Sequence, residues 1–259
     1  MRDQQDFKPT PKNWKVLLGI PMLLGALVFP GSAVFAVDES PSPSASPSVS
    51  PSPEVSILPI TEDTAHIPLY DIDSAKSLQV VVNKQRPLNP VEYLPRGKVQ
   101  IGYSYVAKPA ADAYFLLKAA VSKAKLGTLC INSGYRSFNS QTLIHDAKVA
   151  LLGKTGGEKL AARPGYSEHQ TGLAMDVSTT QLGCRIGTFG ASKASKWIAA
   201  NAWQYGFVVR YPNGKTAITG YVWEPWHMRF VGLELAADMK AKNTATLEEY
   251  FALPAAPKY

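Results

Sequence analysis

The sequence has little cysteine and no dense run of basic residues, and these shortages exclude several classes of protein. Two cysteines among 259 residues are too few for a scaffold held by many disulfides or for a zinc cluster built of cysteine alone. The net charge of +7 is spread too thinly to predict nucleic acid as a partner. There is no internal repeat and no G-x-S-x-G elbow of a serine hydrolase. The 46% of hydrophobic residues nevertheless can fill a substantial core.

The first 36 residues have the composition of an export signal. A basic stretch ends at Lys15, an uncharged apolar segment covers residues 16–29, and small residues stand at Val34 and Ala36, where a signal peptidase would cut. Extended to residue 37, the same segment approaches the roughly 20 residues of a membrane anchor. Under either alternative, the rest of the chain is expected at the extracellular face of the cell, secreted or anchored by this segment.

A linker rich in proline and serine follows, at residues 37–62. Its central part, residues 39–54, alternates proline with serine and is typical of an extended spacer that buries nothing. It is either a stalk that reaches into a cell wall or a leader without a role. A single catalytic domain is predicted for residues 63–259, with its core at about 80–240.

Helix and strand patterns are mixed in this domain without regular alternation, which favours an α+β fold, mainly an antiparallel sheet flanked by helices. In one predicted helix, which ends at Gly153, Leu143, Ile144 and Leu151 mark the buried face, and His145 should therefore face solvent. Periodicity predicts strands at 99–106, 128–132, 173–177, 207–211, 221–223 and 227–231, and further helices at 109–126, 192–205 and 233–242.

Two histidines and two carboxylates are candidates for a metal site. His169 and Asp176 lie seven residues apart, and His227 follows fifty residues later. Two imidazoles and one carboxylate form a ligand set of catalytic zinc, which leaves a position for water. Glu224, three residues before His227, is the candidate for a catalytic base. Pro225 predicts extended backbone for Glu224, so this residue and His227 are not expected in the helical H-E-x-x-H motif of many zinc proteases. The alternative is that the histidines are structural and their spacing arises by chance.

Arg136 lies in a polar segment, residues 133–141, that follows a short strand and opens a helix. Its guanidinium can pair with the C-terminal carboxylate of a substrate or with a developing oxyanion. The alternative is a helix-entry arginine paired with a structural acid. Gln141 and Ser167 are weaker polar candidates for binding substrate.

Cys130 falls in a predicted strand and Cys184 in a polar loop. In an exported domain, a disulfide that joins the segments of Arg136 and Asp176 explains the pair better than two free thiols. The alternative is that one or both cysteines pack as small apolar residues.

Three motifs, taken in order, resemble the signatures of the VanY-type zinc D-alanyl-D-alanine carboxypeptidases, which are relatives of the hedgehog fold. The motifs are S-G-Y-R-S at 133–137, S-x-H-x-x-G-x-A-x-D at 167–176 and E-P-W-H at 224–227. Residues 206–221 also resemble the family's stretch before the last motif. The likeness extends over about residues 80–240, and the N-terminal segment and linker lie outside it.

This resemblance implies one zinc ion held by His169, Asp176 and His227, with Glu224 as catalytic base and Arg136 at the substrate or oxyanion. The implied activity is removal of the terminal D-alanine from peptidoglycan stem peptides. An L,D-carboxypeptidase, a wall endopeptidase and a non-catalytic wall-binding module with a structural metal stay open as alternatives. The sequence gives no basis for an oligomeric state.

Overall fold

The computed structural model describes residues 70–259. The predicted signal or anchor at 1–36, the linker at 37–62 and the start of the predicted catalytic domain lie outside the described residues. Within 70–259, no helix has both the length and the apolar character that crossing a membrane requires.

The strands form two antiparallel sheets. A two-stranded hairpin consists of β1 (Lys98–Ile101) and β2 (Ser104–Ala107). A four-stranded sheet has the order β3-β4-β6-β5, and every neighbouring pair in it is antiparallel. Its strands are β3 (Leu129–Ser133), β4 (Ala174–Thr179), β5 (Phe207–Tyr211) and β6 (Glu224–Phe230).

Helices flank the sheet, and short 3-10 turns connect several of the elements. The turn at Glu168–Thr171 leads directly into β4 and matters most for the site. The α+β class with a mainly antiparallel sheet, predicted from the sequence, is confirmed. The helices are α1 (Lys108–Lys123), α2 (Phe138–Gly157), α3 (Lys193–Asn201), α4 (Thr216–Thr219), α5 (Leu233–Ala241) and α6 (Leu247–Tyr250).

The main core lies between one face of the large sheet and the helices. Side chains alternate along a strand, so the neighbours of core residues point to the opposite face. Met175 of β4 and Met228 of β6 belong to this core. Asp176 and His227, next to them in sequence, therefore lie together on the other face. Helices contribute to the same core Tyr114, Leu117 and Val121 of α1 and Ile198 of α3.

The predicted strand at 99–106 is wrong in one respect, because the structure divides it into the hairpin β1–β2. Gly102 lies at the turn with a φ of 60°, a left-handed conformation that glycine adopts without steric cost. A strict alternation of side chains continues on both sides of this glycine, so the pattern alone does not reveal the reversal.

The predicted buried face of α2 is also wrong. Leu143 and Leu151 are 74% and 73% exposed, whereas Gln141 is fully buried. His145, expected in solvent, has a side chain only 15% exposed and lies 3.0 Å from Asp146. The polar contacts of Gln141 decide which side of α2 faces the protein, and apolar periodicity does not record such contacts.

The helix end predicted at Gly153 is confirmed, because Gly153 has a non-helical φ of 71° and separates two helical segments within Phe138–Gly157. One smaller prediction fails. Residues 221–223 form no strand, because Gly220 turns the chain with a φ of 80° at the end of α4.

A disulfide joins Cys130 of β3 to Cys184, which lies in the loop that follows β4. The loop is also fixed by the side-chain amide of Asn132, which donates to the Cys184 carbonyl. The bond thus ties the strand that leads to Arg136 to the loop that follows the strand of Asp176.

Candidate metal centre and active site

The structure brings His169, Asp176 and His227 to one point although they lie in three separate elements. One ligand atom from each, two ring nitrogens and a carboxylate oxygen, lies within 4.8 Å of the others, and all three residues are buried. The register of the sheet explains the convergence, because Asp176 of β4 is paired directly with His227 of β6. The 3-10 turn that precedes β4 supplies His169.

The two imidazoles present different nitrogens to this point. His169 Nδ1 lies 2.7 Å from the carbonyl oxygen of Gly134 and must donate to it, because a carbonyl only accepts. His169 Nε2 then faces Asp176 Oδ2 at 3.5 Å. In His227 it is Nδ1 that faces Asp176, 3.4 Å from Oδ1.

The residues present fit the zinc ion that the motifs imply. Within the described part of the chain, the buried atoms His169 Nε2 and Asp176 Oδ1 have no hydrogen-bond partner. Buried polar atoms normally have one, so both atoms are available to bind an ion. Imidazole and carboxylate are preferred zinc ligands, and a set of three leaves room for water or substrate.

Burial and neighbouring charges shift the pKa values of the three candidate ligands in different directions. Burial lowers the pKa of His169 to about 4, and the nearby Arg136 acts in the same direction. Burial alone would raise the pKa of Asp176, but the two histidines outweigh it and hold that pKa well below its usual range. Burial also acts to lower the pKa of His227, yet the Asp176 and Glu168 carboxylates that face its two ring nitrogens raise it to about 9. A metal ion that binds His227 must therefore displace a proton near neutral pH.

Glu224 stands beside the three ligands at the first position of β6. Its Oε2 lies 3.7 Å from His227 Nδ1. Burial raises the pKa of Glu224 to about 7, and the Asp176 carboxylate raises it too, whereas His227 and Arg136 lower it. A carboxylate with a pKa near neutrality can both take up and release a proton at physiological pH.

Arg136 reaches the same site from the segment between β3 and α2. Its Nη2 lies 3.6 Å from Asp176 Oδ2, and its side chain is 18% exposed. Its Nη1 donates to Gln141 Oε1 at 2.8 Å, and Gln141 Nε2 donates to the Ala162 carbonyl at 2.7 Å. The sequence predicts Gln141 as a substrate contact, whereas the structure places it behind Arg136 with both amide atoms engaged inside the protein.

Close backbone contacts hold the segment of Arg136 in place. A Cβ at Gly134 would lie 2.3 Å from the Tyr105 carbonyl oxygen, so only glycine fits between β2 and the site. The Arg136 amide donates to the His169 carbonyl at 3.1 Å. Ser167, the other predicted substrate contact, is buried and begins the 3-10 turn without capping it through its side chain.

A buried cluster of charges next to this site was not predicted from the sequence. Glu168 Oε1 accepts from Arg210 Nε at 2.8 Å and from Arg229 Nη1 at 2.7 Å, and all three side chains are fully buried. A signal was present, because Arg210 follows three apolar residues in β5 and Arg229 lies between Met228 and Phe230 in β6. A charged residue within a buried strand needs a charged partner.

The chain matches the model of one protein family and is similar to several known proteins. The model of the VanY family, described as D-alanyl-D-alanine carboxypeptidase, matches residues 103–233. YodJ of Bacillus subtilis, named as a carboxypeptidase, is 40% identical over 194 residues, which cover 71% of this chain and 70% of that protein.

Two solved structures are also similar. The LD-carboxypeptidase LdcB has a TM-score of 0.63 and 40% identity, covering 69% of this chain and 87% of that one. A mutant of the vancomycin-resistance D,D-pentapeptidase VanY in complex with Zn(II) has a TM-score of 0.57 and 31% identity, covering 66% and 97% respectively.

Proposed function

The chain belongs to the VanY family of D-alanyl-D-alanine carboxypeptidases, and on that premise we propose that it is a zinc-dependent D,D-carboxypeptidase that removes the terminal D-alanine from peptidoglycan stem peptides. The observation that carries the proposal is the convergence of three ligand atoms within 4.8 Å, with Glu224 beside them. A structural zinc site uses four protein ligands. The candidate group found within residues 70–259 has three, which supports a catalytic site.

His169, Asp176 and His227 would hold the zinc ion. Bound there, Zn²⁺ supplies Lewis-acid chemistry, which activates a water molecule near neutral pH and polarises the scissile carbonyl. Glu224 Oε2 takes the proton of the attacking water and returns it to the leaving D-alanine nitrogen. The raised pKa of Glu224, about 7, suits both transfers.

Arg136 provides the positive charge on the substrate side. Gln141 fixes one guanidinium nitrogen and Asp176 lies near another, so the side chain is held before substrate arrives. A guanidinium in this position can bind the free carboxylate of the substrate or oppose the negative charge that develops on the attacked carbonyl.

L,D-carboxypeptidase activity is the second candidate, and the likeness to LdcB favours it. Both reactions release a terminal D-alanine. They differ in the configuration of the residue before the scissile bond, which is D-alanine in one case and an L-centre in the other. Zinc and Glu224 would serve either reaction, so specificity depends on groups that contact this preceding residue.

Product analysis tests the function. The full-length protein is incubated with a stem pentapeptide ending in D-Ala-D-Ala and, separately, with the tetrapeptide that lacks the last D-alanine. We expect release of one D-alanine from the pentapeptide, its loss with a chelator and its return with Zn²⁺, all measured by mass spectrometry. Release from the tetrapeptide alone would assign L,D activity. Zinc binding without any release would refute catalysis.

We also propose that the enzyme works outside the cell membrane, within the wall. The export segment at 1–36, the proline- and serine-rich linker and the disulfide between Cys130 and Cys184 support this location. Fractionation of cells, with mass spectrometry of the mature N-terminus, tests it. Recovery of the whole chain in the cytoplasm would contradict the proposal.

A further inference from the structure

The two carboxylate oxygens of Glu168 have different surroundings. Oε1 accepts the two arginine hydrogen bonds from Arg210 and Arg229. Oε2 faces His227 Nε2 at 3.4 Å. Within residues 70–259, neither Oε2 nor His227 Nε2 has a hydrogen-bond partner. A buried acceptor and a buried ring nitrogen that face each other in this way are each other's available partner.

The hydrogen bonds from Arg210 and Arg229 to Oε1 hold the Glu168 carboxylate in place, with Oε2 toward His227. Arg210 also binds Glu248 with two hydrogen bonds of 2.7 and 2.8 Å. Arg229 Nη2 donates to the carbonyl oxygens of Leu78 and Val80 at 3.0 and 2.8 Å. Two arginines thus balance two glutamates, which allows the Glu168 carboxylate to stay charged although it is fully buried.

A charged carboxylate only accepts hydrogen bonds, so His227 Nε2 must carry a hydrogen where it faces Glu168. Nδ1, which faces the Asp176 carboxylate, is then the ring nitrogen left to bind the metal. Metal-binding histidines commonly have such an outer partner, which fixes the ring and makes it a better ligand.

We propose that Glu168 is a positioning residue that holds the His227 ring with Nδ1 toward the metal. The proposal rests on the zinc site of the proposed function. It assigns each histidine ligand its own acceptor, the Gly134 carbonyl for His169 and the Glu168 carboxylate for His227. The two rings therefore bind the metal through different nitrogens, Nε2 of His169 and Nδ1 of His227.

A matched pair of variants of the full-length protein tests the proposal. Glu168→Gln keeps an oxygen for the two arginines but turns an amide donor toward His227 Nε2–H. Glu248→Gln makes the same change at the other fully buried glutamate of the cluster, which also binds Arg210. Both variants weaken the cluster, so loss of stability by itself does not separate them.

Zinc affinity, measured by competition with a chromogenic chelator, separates the two variants. We expect Glu168→Gln to bind Zn²⁺ about 10- to 100-fold more weakly than wild type and Glu248→Gln to stay within about threefold of wild type. The visible spectrum of the Co²⁺-substituted protein should change only in Glu168→Gln. Wild-type affinity in Glu168→Gln, or equal losses in both variants, would overturn the proposal.

A measurement on wild type keeps the test decisive if Glu168→Gln fails to fold. In the zinc-bound protein labelled with ¹⁵N-histidine, NMR should show His227 bound through Nδ1 with a hydrogen on Nε2. Metal on Nε2 would overturn the proposal. Zinc binding without D-alanine release would refute the proposed function and leave the positioning role standing, whereas a wild type that binds no zinc would refute both.

Discussion

Asp176 and His227 are direct partners across strands β4 and β6, and Asp176 Oδ1 lies 3.4 Å from His227 Nδ1. Two of the three proposed ligands are thus placed by the register of one antiparallel strand pair. A shift of one residue would turn one of them into the core. A site fixed in this way is held by the same hydrogen bonds that hold the sheet, which gives definite expectations for single substitutions.

Removal of a ligand should remove the metal. We expect His227→Ala to retain little zinc after dialysis, because His169 and Asp176 alone form an incomplete set. Metal analysis of the purified protein measures this. His145→Ala is the control, since this histidine lies on α2 beside Asp146 and is not a ligand. Full zinc occupancy in His227→Ala would contradict the assignment.

Removal of the base should spare the metal. Glu224→Gln should keep its zinc but lose at least about 100-fold in kcat, because general acid–base catalysis commonly contributes that much or more. D-Alanine release, normalised to bound zinc, measures the effect. Comparable turnover by the variant and wild type would show that another group moves the proton.

The metal-free protein should become less stable as Glu224 ionises. The pKa of Glu224 is about 7 in the folded protein, compared with 4.5 for an exposed glutamate. Between pH 4.5 and pH 7 the folded protein therefore holds this proton more tightly than the unfolded chain does. This contribution is therefore lost as pH rises from about 4.5 to 7, by at most about 3 kcal/mol.

Glu224→Gln removes this titration, which gives a direct comparison. The unfolding free energy of the metal-free variant minus that of metal-free wild type should be larger at pH 8 than at pH 4. Urea unfolding at both pH values measures the gain. A difference in unfolding free energy that does not vary with pH would show that burial leaves Glu224 unaffected.

Arg136→Ala should lower kcat/KM about 100-fold or more, the usual cost of losing a donor to developing negative charge. A peptide amidated at its C-terminus distinguishes the two roles of Arg136. If the guanidinium binds the substrate carboxylate, the amidated peptide should be a poor substrate for wild type and no poorer for the variant. Unchanged kcat/KM with the free peptide would exclude both roles.

The disulfide should stabilise the fold substantially. Cys130 and Cys184 are 54 residues apart, and closing a loop of that length is worth about 4 kcal/mol by chain entropy. Urea unfolding with and without a reductant measures this contribution. The double variant Cys130→Ser/Cys184→Ser is the control and should not respond to the reductant. Equal stability of reduced and oxidised wild type would contradict the expectation.

The amino-acid sequence alone determined the residue types at the site and the class of the fold. The resemblance of the three motifs to the VanY family implied which side chains converge, and Pro225 predicted the extended backbone at Glu224 with which β6 begins. Both inferences were possible because short motifs and local backbone geometry are recorded in a few neighbouring positions.

Only the tertiary structure decided which ring nitrogen of each histidine faces Asp176, which face of α2 is buried, and that Gln141 binds Arg136 inside the protein. It also brought Glu168 into contact with Arg229, 61 residues away, and Arg210 into contact with Glu248, 38 residues away. Buried charges take whichever partners the packed chain brings near, and chain spacing does not encode that choice. These distant contacts form the charged cluster that lies next to the three proposed metal ligands.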